Sequence, residues 1–228
     1  MFETPEFFDR VSSTQDIAKT YPVGSVIVAK QQDKGRGRMG RTWVSEPGNL
    51  FFSAVLPEYE KPYLYGFVAS LSVAEALASY SPRLKWPNDV LLQNKKVCGL
   101  LLEHENDKVI LGVGVNIVSS PKEGMLYETI SLKDVGPVPT VEQLLTVCLT
   151  CLEKNIQQLM DSGFAPIRRR WLEYAMGLGQ HIRVALPNET LEGEFEGLTE
   201  EGFLRLRLSD GQIKIIVAGD VNPALKEA

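Results

Sequence analysis

The sequence is poor in cysteine, and this excludes the small folds that disulfides or zinc hold together. Only three cysteines occur in 228 residues, too few for a disulfide framework in a chain of this length. Cys148 and Cys151 have C-x-x-C spacing, but no second cysteine pair completes a zinc site. We therefore interpret both as core positions of a helix, because free cysteine behaves as a small buried hydrophobe.

Long hydrophobic runs and an excess of positive charge are also absent. No apolar run approaches the length of a membrane span, and residues 1–5 lack the basic start and apolar stretch of a signal peptide. The formal net charge is −5, whereas a general nucleic-acid binder needs a basic surface to neutralise phosphates. The sequence therefore predicts a cytoplasmic protein that binds neither membranes nor nucleic acid in general.

Residues 35–43 form the most unusual segment that is present. Glycines and arginines alternate there, at Gly35, Arg36, Gly37, Arg38, Gly40 and Arg41. Glycine lets the backbone approach a ligand closely, and each planar guanidinium matches carboxylate and phosphate oxygens. On an acidic chain this pattern predicts a loop that closes over an anionic ligand.

Two other interpretations of this segment fail. It matches the dinucleotide-binding pattern G-x-G-x-x-G, but residues 43–49 favour a turn where that motif needs a helix. A kinase-type glycine loop needs H-R-D and D-F-G further along, and the sequence has neither. A solvated basic loop is the simplest remaining alternative.

Hydrophobic periodicity divides the chain into a mixed part and a β part. The predicted strands of the first part are 6–11, 25–32, 49–56, 97–103 and 109–117, and its long helices are 62–80, 140–163 and 164–176. From residue 177 the period changes to two, with four or five short strands that favour a small barrel. We predict one domain over 1–176 and a second over 177–228.

Two helix starts carry the capping-box pattern, in which a hydroxyl and a residue three positions later satisfy backbone groups. Thr140 and Gln143 form one such pair, and Ser13 and Asp16 form the other. The second pair has an alternative interpretation. The hydroxyls of Ser13 and Thr14 could instead surround a small polar ligand.

Further candidate site residues lie on the predicted strands. Gly112 and Gly114 share one strand face, and glycine weakens a strand unless something approaches closely there. We expect a flat ligand ring on that face, with Asn116 at its edge. The segment Lys85-Trp-Pro-Asn-Asp89 places polar groups around a rigid proline, and Lys96 lies where a returning strand begins.

Four stretches together resemble the biotin protein ligases, which attach biotin to a lysine of a carrier protein. They are Ser13-Thr14, the segment 35–43, Lys85 to Asp89 with Lys96 and Gly99, and Gly112 to Ile117. The order and spacing fit the family, and the small C-terminal barrel fits as well. The resemblance covers nearly the whole chain, and the glycine-arginine and Lys-Trp-Pro-Asn-Asp motifs are specific in combination.

The resemblance implies an α+β fold, with a mixed central β-sheet, helices packed on one face, and a small SH3-like β-barrel after it. It implies biotin, ATP and Mg²⁺ as substrates and cofactors. Biotin would first become biotinyl-adenylate, and an acceptor lysine would then attack that intermediate. The expected acceptor is a biotin carboxyl carrier protein, such as the subunit of acetyl-CoA carboxylase. A homodimer is left open.

The resemblance also assigns roles to individual residues. Lys96 is expected to bridge the biotin carboxylate and the phosphate, Arg38 to hold the adenylate, and Asp89 to steer the incoming lysine. The expected biotin contacts are Ser13, Thr14, Gln32, Gly35, Arg36, Arg38, Lys96, Gly99 and Gly114. The expected ATP contacts are Arg38, Arg41, Trp43, Asn88, Lys96 and Asn116. Arg36 and Arg41 are expected to act on phosphates or to stabilise the closed loop.

The sequence departs from the family pattern in three places. Gln15 stands where asparagine is usual, and the loop 118–139 matches nothing that can be transferred. The chain opens directly on the catalytic domain, so the DNA binding of the repressor-type members is not expected here.

Two competing functions were weighed against biotin ligation. A lipoate or octanoate protein ligase shares the catalytic architecture, but the glycine-arginine and Lys-Trp-Pro-Asn-Asp motifs favour biotin. A non-catalytic biotin-binding module would lack the cations for phosphate chemistry, and Arg38 and Lys96 are both present.

Overall fold

Seven strands form one mixed sheet in the computed structural model, which describes residues 1–121 and 127–223. The strands are β1 (Glu6–Val11), β2 (Val26–Gln32), β3 (Leu50–Pro57), β4 (Arg83–Lys85), β5 (Asp89–Leu92), β6 (Lys95–Glu105) and β7 (Lys108–Val115). Their order in the sheet is β1-β2-β3-β7-β6-β5-β4. Only β1 and β2 pair in parallel among these neighbours. The predicted mixed sheet is thus confirmed.

The central strands bring the glycines of the sequence motifs together. β6 and β7 pair so that Gly99 lies opposite Gly114. On the other side of β7, Phe51 and Ser53 of β3 lie opposite Gly114 and Gly112. The middle of the sheet therefore has an area without side chains, bordered by the ends of several strands.

Three long helices cover one face of this sheet. They are α2 (Leu64–Ala76), α3 (Val141–Ser162) and α4 (Phe164–Tyr174). All residues of α2 from Leu64 to Ala74 are buried, because the sheet, α3 and α4 all pack against this helix. The helix predicted over 62–80 ends earlier, at Ala76, and Ala78 is exposed beyond this end.

The short helix α1 (Thr14–Ala18) lies on the opposite face. Its Ala18 packs in a small apolar cluster with Ile27, Val55 and Ile110, whose neighbours along each strand face the main core. This arrangement follows from the period of two in strands, which sends successive side chains to opposite faces. The face that carries α1 remains partly uncovered.

The two predicted capping boxes have different outcomes. Thr140 accepts a 3.1 Å hydrogen bond from the Gln143 amide, and Gln143 accepts one of 2.9 Å from the Thr140 amide, so this box is confirmed. The Ser13–Asp16 box is wrong. Ser13 precedes α1 but makes no side-chain cap bond, and the Asp16 carboxylate binds Arg36.

The C-terminal strands form a second sheet. They are β8 (His181–Ala185), β9 (Thr190–Leu198), β10 (Leu204–Arg207), β11 (Ile213–Ile216) and β12 (Asp220–Pro223). Their order is β11-β10-β9-β8-β12, and every pair is antiparallel. The predicted small β unit is confirmed, but the expected closed barrel is not. Over the residues described, β11 and β12 are edge strands that do not pair with each other.

The two sheets share buried contacts. The Trp86 indole donates a 3.1 Å hydrogen bond to the Gly202 carbonyl, and Phe67 packs against Gly202 and Phe164. Buried side chains of the second sheet, including Phe195, belong to the same apolar core as α2. The division into 1–176 and 177–228 stays a prediction, and residues 224–228 lie outside the described part.

The two cysteines that we interpreted as core positions differ in burial. Cys148 is buried as predicted, whereas Cys151 is half-buried. No helix in the described residues combines the length and apolar character that crossing a membrane requires.

Candidate active site

A cleft lies over the glycine area of the large sheet, beneath the glycine-arginine segment. Gly99 and Gly114 form its floor, and the Trp43 indole lies directly on them. A Cβ atom at Gly114 would stand 2.5 Å from Trp43 Cε2, and one at Gly99 would stand 2.6 Å from Cζ3. An indole of the chain itself thus lies on this face, and the flat ligand ring that we expected there stays a prediction.

The wall of the cleft at α1 is a buried hydroxyl and amide cluster. The Thr14 amide and hydroxyl donate to Gln32 Oε1 at 2.9 and 3.1 Å. Ser53 Oγ lies 2.8 Å from both Thr14 Oγ1 and Gln15 Oε1. Gln15, flagged only as a departure from the family pattern, thus holds this wall together from a buried position.

The neck of the glycine-arginine segment is a narrow backbone turn. The Gly37 amide donates to the Arg41 carbonyl at 2.7 Å, and the Trp43 amide donates to the Gly35 carbonyl at 2.9 Å. Gly35 lies inside the neck and does not line the cleft. A Cβ there would stand 2.4 Å from the Trp43 carbonyl oxygen, so only glycine fits.

The three arginines of the segment have different partners. Arg36 binds both oxygens of Asp16, at 2.9 and 2.8 Å, and also reaches Glu103 at 3.2 Å. Arg41 donates to Asp220 of β12 at 3.1 Å. Arg38 donates to the neutral Asn88 side chain at 2.8 Å.

Lys96 and Asp89 form the ion pair beside the glycine floor. Lys96 Nζ lies 2.7 Å from Asp89 Oδ1, and the two side chains are 21% and 15% exposed. A shift in register between β5 and β6 near Val90 puts both Val97 and Cys98 in the core. Such a bulge re-aims the neighbouring side chain, and Lys96 consequently lines the cleft.

Three buried polar atoms of cleft residues have no hydrogen-bond partner within residues 1–121 and 127–223. They are Ser13 Oγ, Trp43 Nε1 and Asn116 Oδ1. Buried polar groups are normally paired, and leaving one unpaired is costly. Since all three line one cleft, they indicate a ligand with both donors and acceptors.

Sequence reasoning missed several residues at this site. Asp16 and Glu103 bind Arg36, while Tyr127 and Asp220 line the cleft. Asp220 could not be found from motifs, because it arrives from the second sheet. Asp16 was visible only as a cap residue, and Glu103 only as the end of a strand.

A buried charged group lies behind the cleft at the second sheet. Lys85 is 6% exposed, and its Nζ lies 3.6 Å from the centre of the Tyr127 ring. Burial lowers the pKa of Lys85, although Asp89 and Asp220 favour its charged form. Burial also raises the pKa of Tyr127 to about 12, with the negative charge of Asp220 adding to the effect.

Asp220 itself is ionised in this setting. Burial would raise the pKa of this carboxyl group, but the hydrogen bond and the charge of Arg41 outweigh burial and hold it below its usual value. The described part of the chain contains no cluster of three or more histidine, cysteine, aspartate or glutamate side chains that would form a protein-only metal site.

Most sequence-predicted site residues meet in this cleft. The lining residues among them are Ser13, Thr14, Gln32, Arg36, Arg38, Arg41, Trp43, Asn88, Asp89, Lys96, Gly99, Gly114 and Asn116. Part of the unassigned loop 118–139 also reaches it, through Pro121, Tyr127 and Thr129. Residues 122–126 of that loop lie outside the described residues.

Comparison with known families gives two matches. The biotin/lipoate A/B protein ligase family matches residues 7–117, and the biotin protein ligase C-terminal domain matches residues 177–222.

Individual proteins are similar over most of the chain. The bifunctional ligase/repressor BirA of Bacillus spizizenii is 34% identical, over 93% of this chain and 72% of its own length. The biotin–[acetyl-CoA-carboxylase] ligase of Paracoccus denitrificans is also 34% identical, over 86% of this chain and 88% of its own. The structure of the biotin protein ligase from Aquifex aeolicus in complex with biotin and ATP superposes with a TM-score of 0.88. It is 32% identical, and the match covers 97% of this chain and 98% of that one.

Proposed function

The chain belongs to the biotin/lipoate A/B protein ligase family as a biotin protein ligase, and we propose how its cleft joins biotin to a carrier protein. The enzyme activates biotin with ATP as biotinyl-5′-AMP, releases pyrophosphate, and transfers the biotin to a lysine. Mg²⁺ enters with ATP, whose metal ion usually keeps several waters and takes few protein ligands.

One observation carries the residue roles: two cations, Lys96 and Arg38, line the same glycine-floored cleft. Lys96 is paired with Asp89, and Arg38 with the neutral Asn88. Neither cation is locked by two carboxylates, as Arg36 is. Both are therefore available to a phosphate or a carboxylate that enters the cleft.

In the first half-reaction, a carboxylate oxygen of biotin attacks the α-phosphorus of ATP, and the bond to pyrophosphate breaks. Negative charge gathers on the phosphate oxygens as this happens, so cations already in place stabilise the transition state. We assign Lys96 to bridge the biotin carboxylate and the α-phosphate of ATP. Arg38 holds the resulting adenylate and shields it from water.

In the second half-reaction, the acceptor amine attacks the acyl carbon of the adenylate, AMP leaves, and the amine loses a proton. A free lysine has a pKa of about 10.4, so it arrives as an ammonium and must lose a proton before it attacks. We assign Asp89 to steer this lysine, because its carboxylate lies at the cleft 2.7 Å from Lys96. The incoming ammonium would replace Lys96 as the partner of Asp89.

The remaining contacts follow the polar groups of the cleft. Biotin is assigned to Ser13, Thr14 and Gln32, whose hydroxyl and amide groups suit a ureido ring, and to Gly99 and Gly114, on which the Trp43 indole lies. ATP is assigned to Arg41, Trp43, Asn88 and Asn116. Gly35 and Arg36 stay as predicted biotin contacts, although Gly35 is enclosed in the neck and Arg36 is bound to two carboxylates.

The acceptor we propose is a biotin carboxyl carrier protein. Support comes from relatives named biotin–[acetyl-CoA-carboxylase] ligase in Paracoccus denitrificans and Mycobacterium tuberculosis. We further propose that residues 1–176 bind biotin and ATP and that residues 177–228 form the second domain. A cytoplasmic location, a homodimer and the absence of DNA binding remain predictions from the sequence.

Biotin-dependent exchange of radiolabel between pyrophosphate and ATP tests the activity. Lipoate and octanoate are run in parallel, because the family includes lipoate ligases. Exchange with biotin alone is the expected result. Exchange with lipoate or octanoate alone would move the chain to that branch of the family, and biotin binding without exchange would overturn the phosphate roles of Arg38 and Lys96.

A further inference from the structure

We propose that Asp16 and Glu103 are positioning residues, which hold the glycine-arginine loop over the intermediate by clamping Arg36. The inference rests on the proposed function, because it concerns retention of the adenylate. Neither carboxylate is part of the motifs that identify the family here. Both were found only from their contacts in the folded chain.

The clamp uses most of the hydrogen-bonding capacity of the Arg36 fork. Nη1 donates to Asp16 Oδ2 at 2.9 Å, and Nη2 donates to Asp16 Oδ1 at 2.8 Å. Nη2 also lies 3.2 and 3.3 Å from the two oxygens of Glu103. Bidentate pairs of this kind fix orientation as well as distance. With these donors occupied by carboxylates, Arg36 fixes the position of the loop. Arg38, in contrast, is hydrogen-bonded to the neutral Asn88.

The two carboxylates come from different elements of the fold. Asp16 belongs to α1, next to the wall formed by Thr14 and Gln15, and Glu103 belongs to β6, the strand that carries Gly99. Arg36 is 34% exposed and Glu103 is 25% exposed, so solvent screens this pair only partly. The clamp therefore ties the loop to α1 and to the large sheet at once.

The position of Arg36 in the loop gives the clamp its effect. Arg36 pairs with Thr42 across the neck, and the Gly37–Arg41 hydrogen bond closes the turn beyond it. The tip, Arg38–Gly40, contains no buried residue. Fixing the neck through Arg36 consequently sets where the tip and Arg38 stand.

The electrostatics of the clamp agree with its geometry. Hydrogen bonding to Arg36 lowers the pKa of Asp16, and hydrogen bonding to Asp16 raises the pKa of Arg36. Lys19 also approaches this group, with its Nζ 3.4 Å from Glu103 and 3.5 Å from Glu105. Lys19 has no contact with the loop, which makes it a useful control.

The experiment measures the rate at which labelled biotinyl-adenylate leaves the enzyme when no acceptor is present. The variants are Asp16→Asn, Glu103→Gln and the double variant. Each single change leaves one carboxylate on Arg36, so release should rise about two- to threefold. The double change leaves none, and release should rise at least about tenfold, more than the product of the singles, as expected for coupled partners.

Three further variants separate positioning from general damage. Asp16→Glu should restore retention, and Arg36→Lys, which keeps the charge but loses the fork, should release adenylate like the double variant. Lys19→Met, which removes the other cation near Glu103, should behave like the parent. Pyrophosphate exchange should stay within about threefold of the parent in the Asp16, Glu103 and Lys19 variants, because clamping affects escape more than formation.

Different experimental results would contradict the clamp and the proposed function. A parent enzyme without biotin-dependent exchange would overturn the function. If the parent exchanges normally but the double variant and Arg36→Lys retain adenylate as well as the parent does, the clamp is wrong. Equal losses of exchange and retention would also overturn it, since they would assign Asp16 and Glu103 to folding of the site.

Discussion

At the scale of single residues, the floor of the cleft depends on the absence of one side chain. Gly114 has no room for a Cβ atom, because Trp43 Cε2 would lie 2.5 Å away. We expect Gly114→Ala to displace the indole and to weaken biotin binding by at least about tenfold, since overpacking typically costs about 1–3 kcal/mol. Equilibrium binding of radiolabelled biotin measures the effect.

Gly66→Ala is the matched control for that substitution. Gly66 is also buried, but a Cβ there would meet Leu102 at 3.6 Å, an ordinary contact. Alanine is favoured over glycine in a helix by up to about 1 kcal/mol, so this variant should be slightly more stable and bind biotin normally. Unchanged biotin affinity in Gly114→Ala would show that the indole does not shape the pocket.

Arg38 is the arginine of the loop that we propose to hold the adenylate. Its side chain donates to Asn88, which in turn donates to the Leu100 carbonyl at 2.7 Å. Arg38→Gly should leave adenylate formation measurable but raise adenylate release at least about tenfold, because a charge-assisted contact is lost. Release is measured by trapping labelled adenylate in the absence of acceptor.

The control for Arg38→Gly is Met39→Gly, a change at the same loop tip. Met39 is 80% exposed and has a φ of 55°, a conformation that glycine adopts without strain. Met39→Gly should raise the rate of adenylate release no more than about twofold, since it adds flexibility without removing a cation. Equal effects of the two substitutions would assign retention to loop stiffness instead of the Arg38 charge.

The sequence predicted residue types better than residue partners. The glycines, arginines and Lys-Trp-Pro-Asn-Asp residues are recognisable because their chemistry is unusual for a core or a plain surface. Asp16 and Glu103 are ordinary surface carboxylates in the sequence, and their role appears only when α1 and β6 meet at Arg36. The side to which Lys96 points also depended on the register shift between β5 and β6, which alternation alone does not predict.

At the scale of elements, α2 joins the sheet to the other helices. Its Tyr65 is fully buried, and the hydroxyl donates a 3.1 Å hydrogen bond to the Pro57 carbonyl at the end of β3. The sequence predicted this helix, over 62–80, from its hydrophobic periodicity. The structure buries the helix on nearly every side, because α3 and α4 cover its outer face. These two helices come much later in the chain, from Val141 onward.

Burial of Tyr65 gives the stability of the protein a pH dependence in the alkaline range. Burial raises the pKa of this phenol from 10.0 to about 12. Because the pKa is raised in the folded state, the contribution of the protonated Tyr65 to the free energy of unfolding is fully present below pH 10. It is lost as the pH rises through 12. The difference corresponds to at most roughly 2.7 kcal/mol, at 1.36 kcal/mol for each pKa unit.

Tyr65→Phe tests this dependence. Below pH 10 the variant should be less stable by about 1 kcal/mol, because the Pro57 carbonyl loses its donor. Between pH 10 and 12 the parent should lose more stability than the variant. The difference in free energy of unfolding between the two proteins should therefore narrow. Urea unfolding at each pH measures both. Tyr63→Phe is the control, because burial raises the pKa of this 41% exposed tyrosine less than that of Tyr65. A difference between parent and Tyr65→Phe that stays constant through pH 12 would contradict the assignment.

At the scale of the whole molecule, the second sheet completes the active site of the first. Trp86, Phe67 and Phe164 fix the sheets to each other through Gly202. This packing delivers Asp220 of β12 to Arg41, which belongs to the loop 179 positions earlier in the chain. No local pattern could predict that contact, because it depends on how two separately recognisable units pack.

The contact predicts a catalytic effect from a substitution in the C-terminal sheet. Asp220→Asn should raise adenylate release by about three- to tenfold, because the Arg41 ion pair is partly buried and holds the end of the loop opposite Arg36. Glu192→Gln is the matched control, since it removes an exposed ion pair with Arg183 within the same sheet and should have no effect.

The pH dependence of this effect follows from the state of Asp220. Arg41 holds the pKa of Asp220 below its usual value, so the carboxylate stays charged as the pH falls, and the contact is lost only when the pH drops through that lowered pKa. The ratio of release rates between Asp220→Asn and the parent should thus be constant from pH 5.5 to about 8, far above the usual aspartate pKa of about 3.9. A ratio that falls toward one at pH 5.5 would mean that Asp220 is already protonated there, and that the second sheet holds the loop by packing instead of by charge.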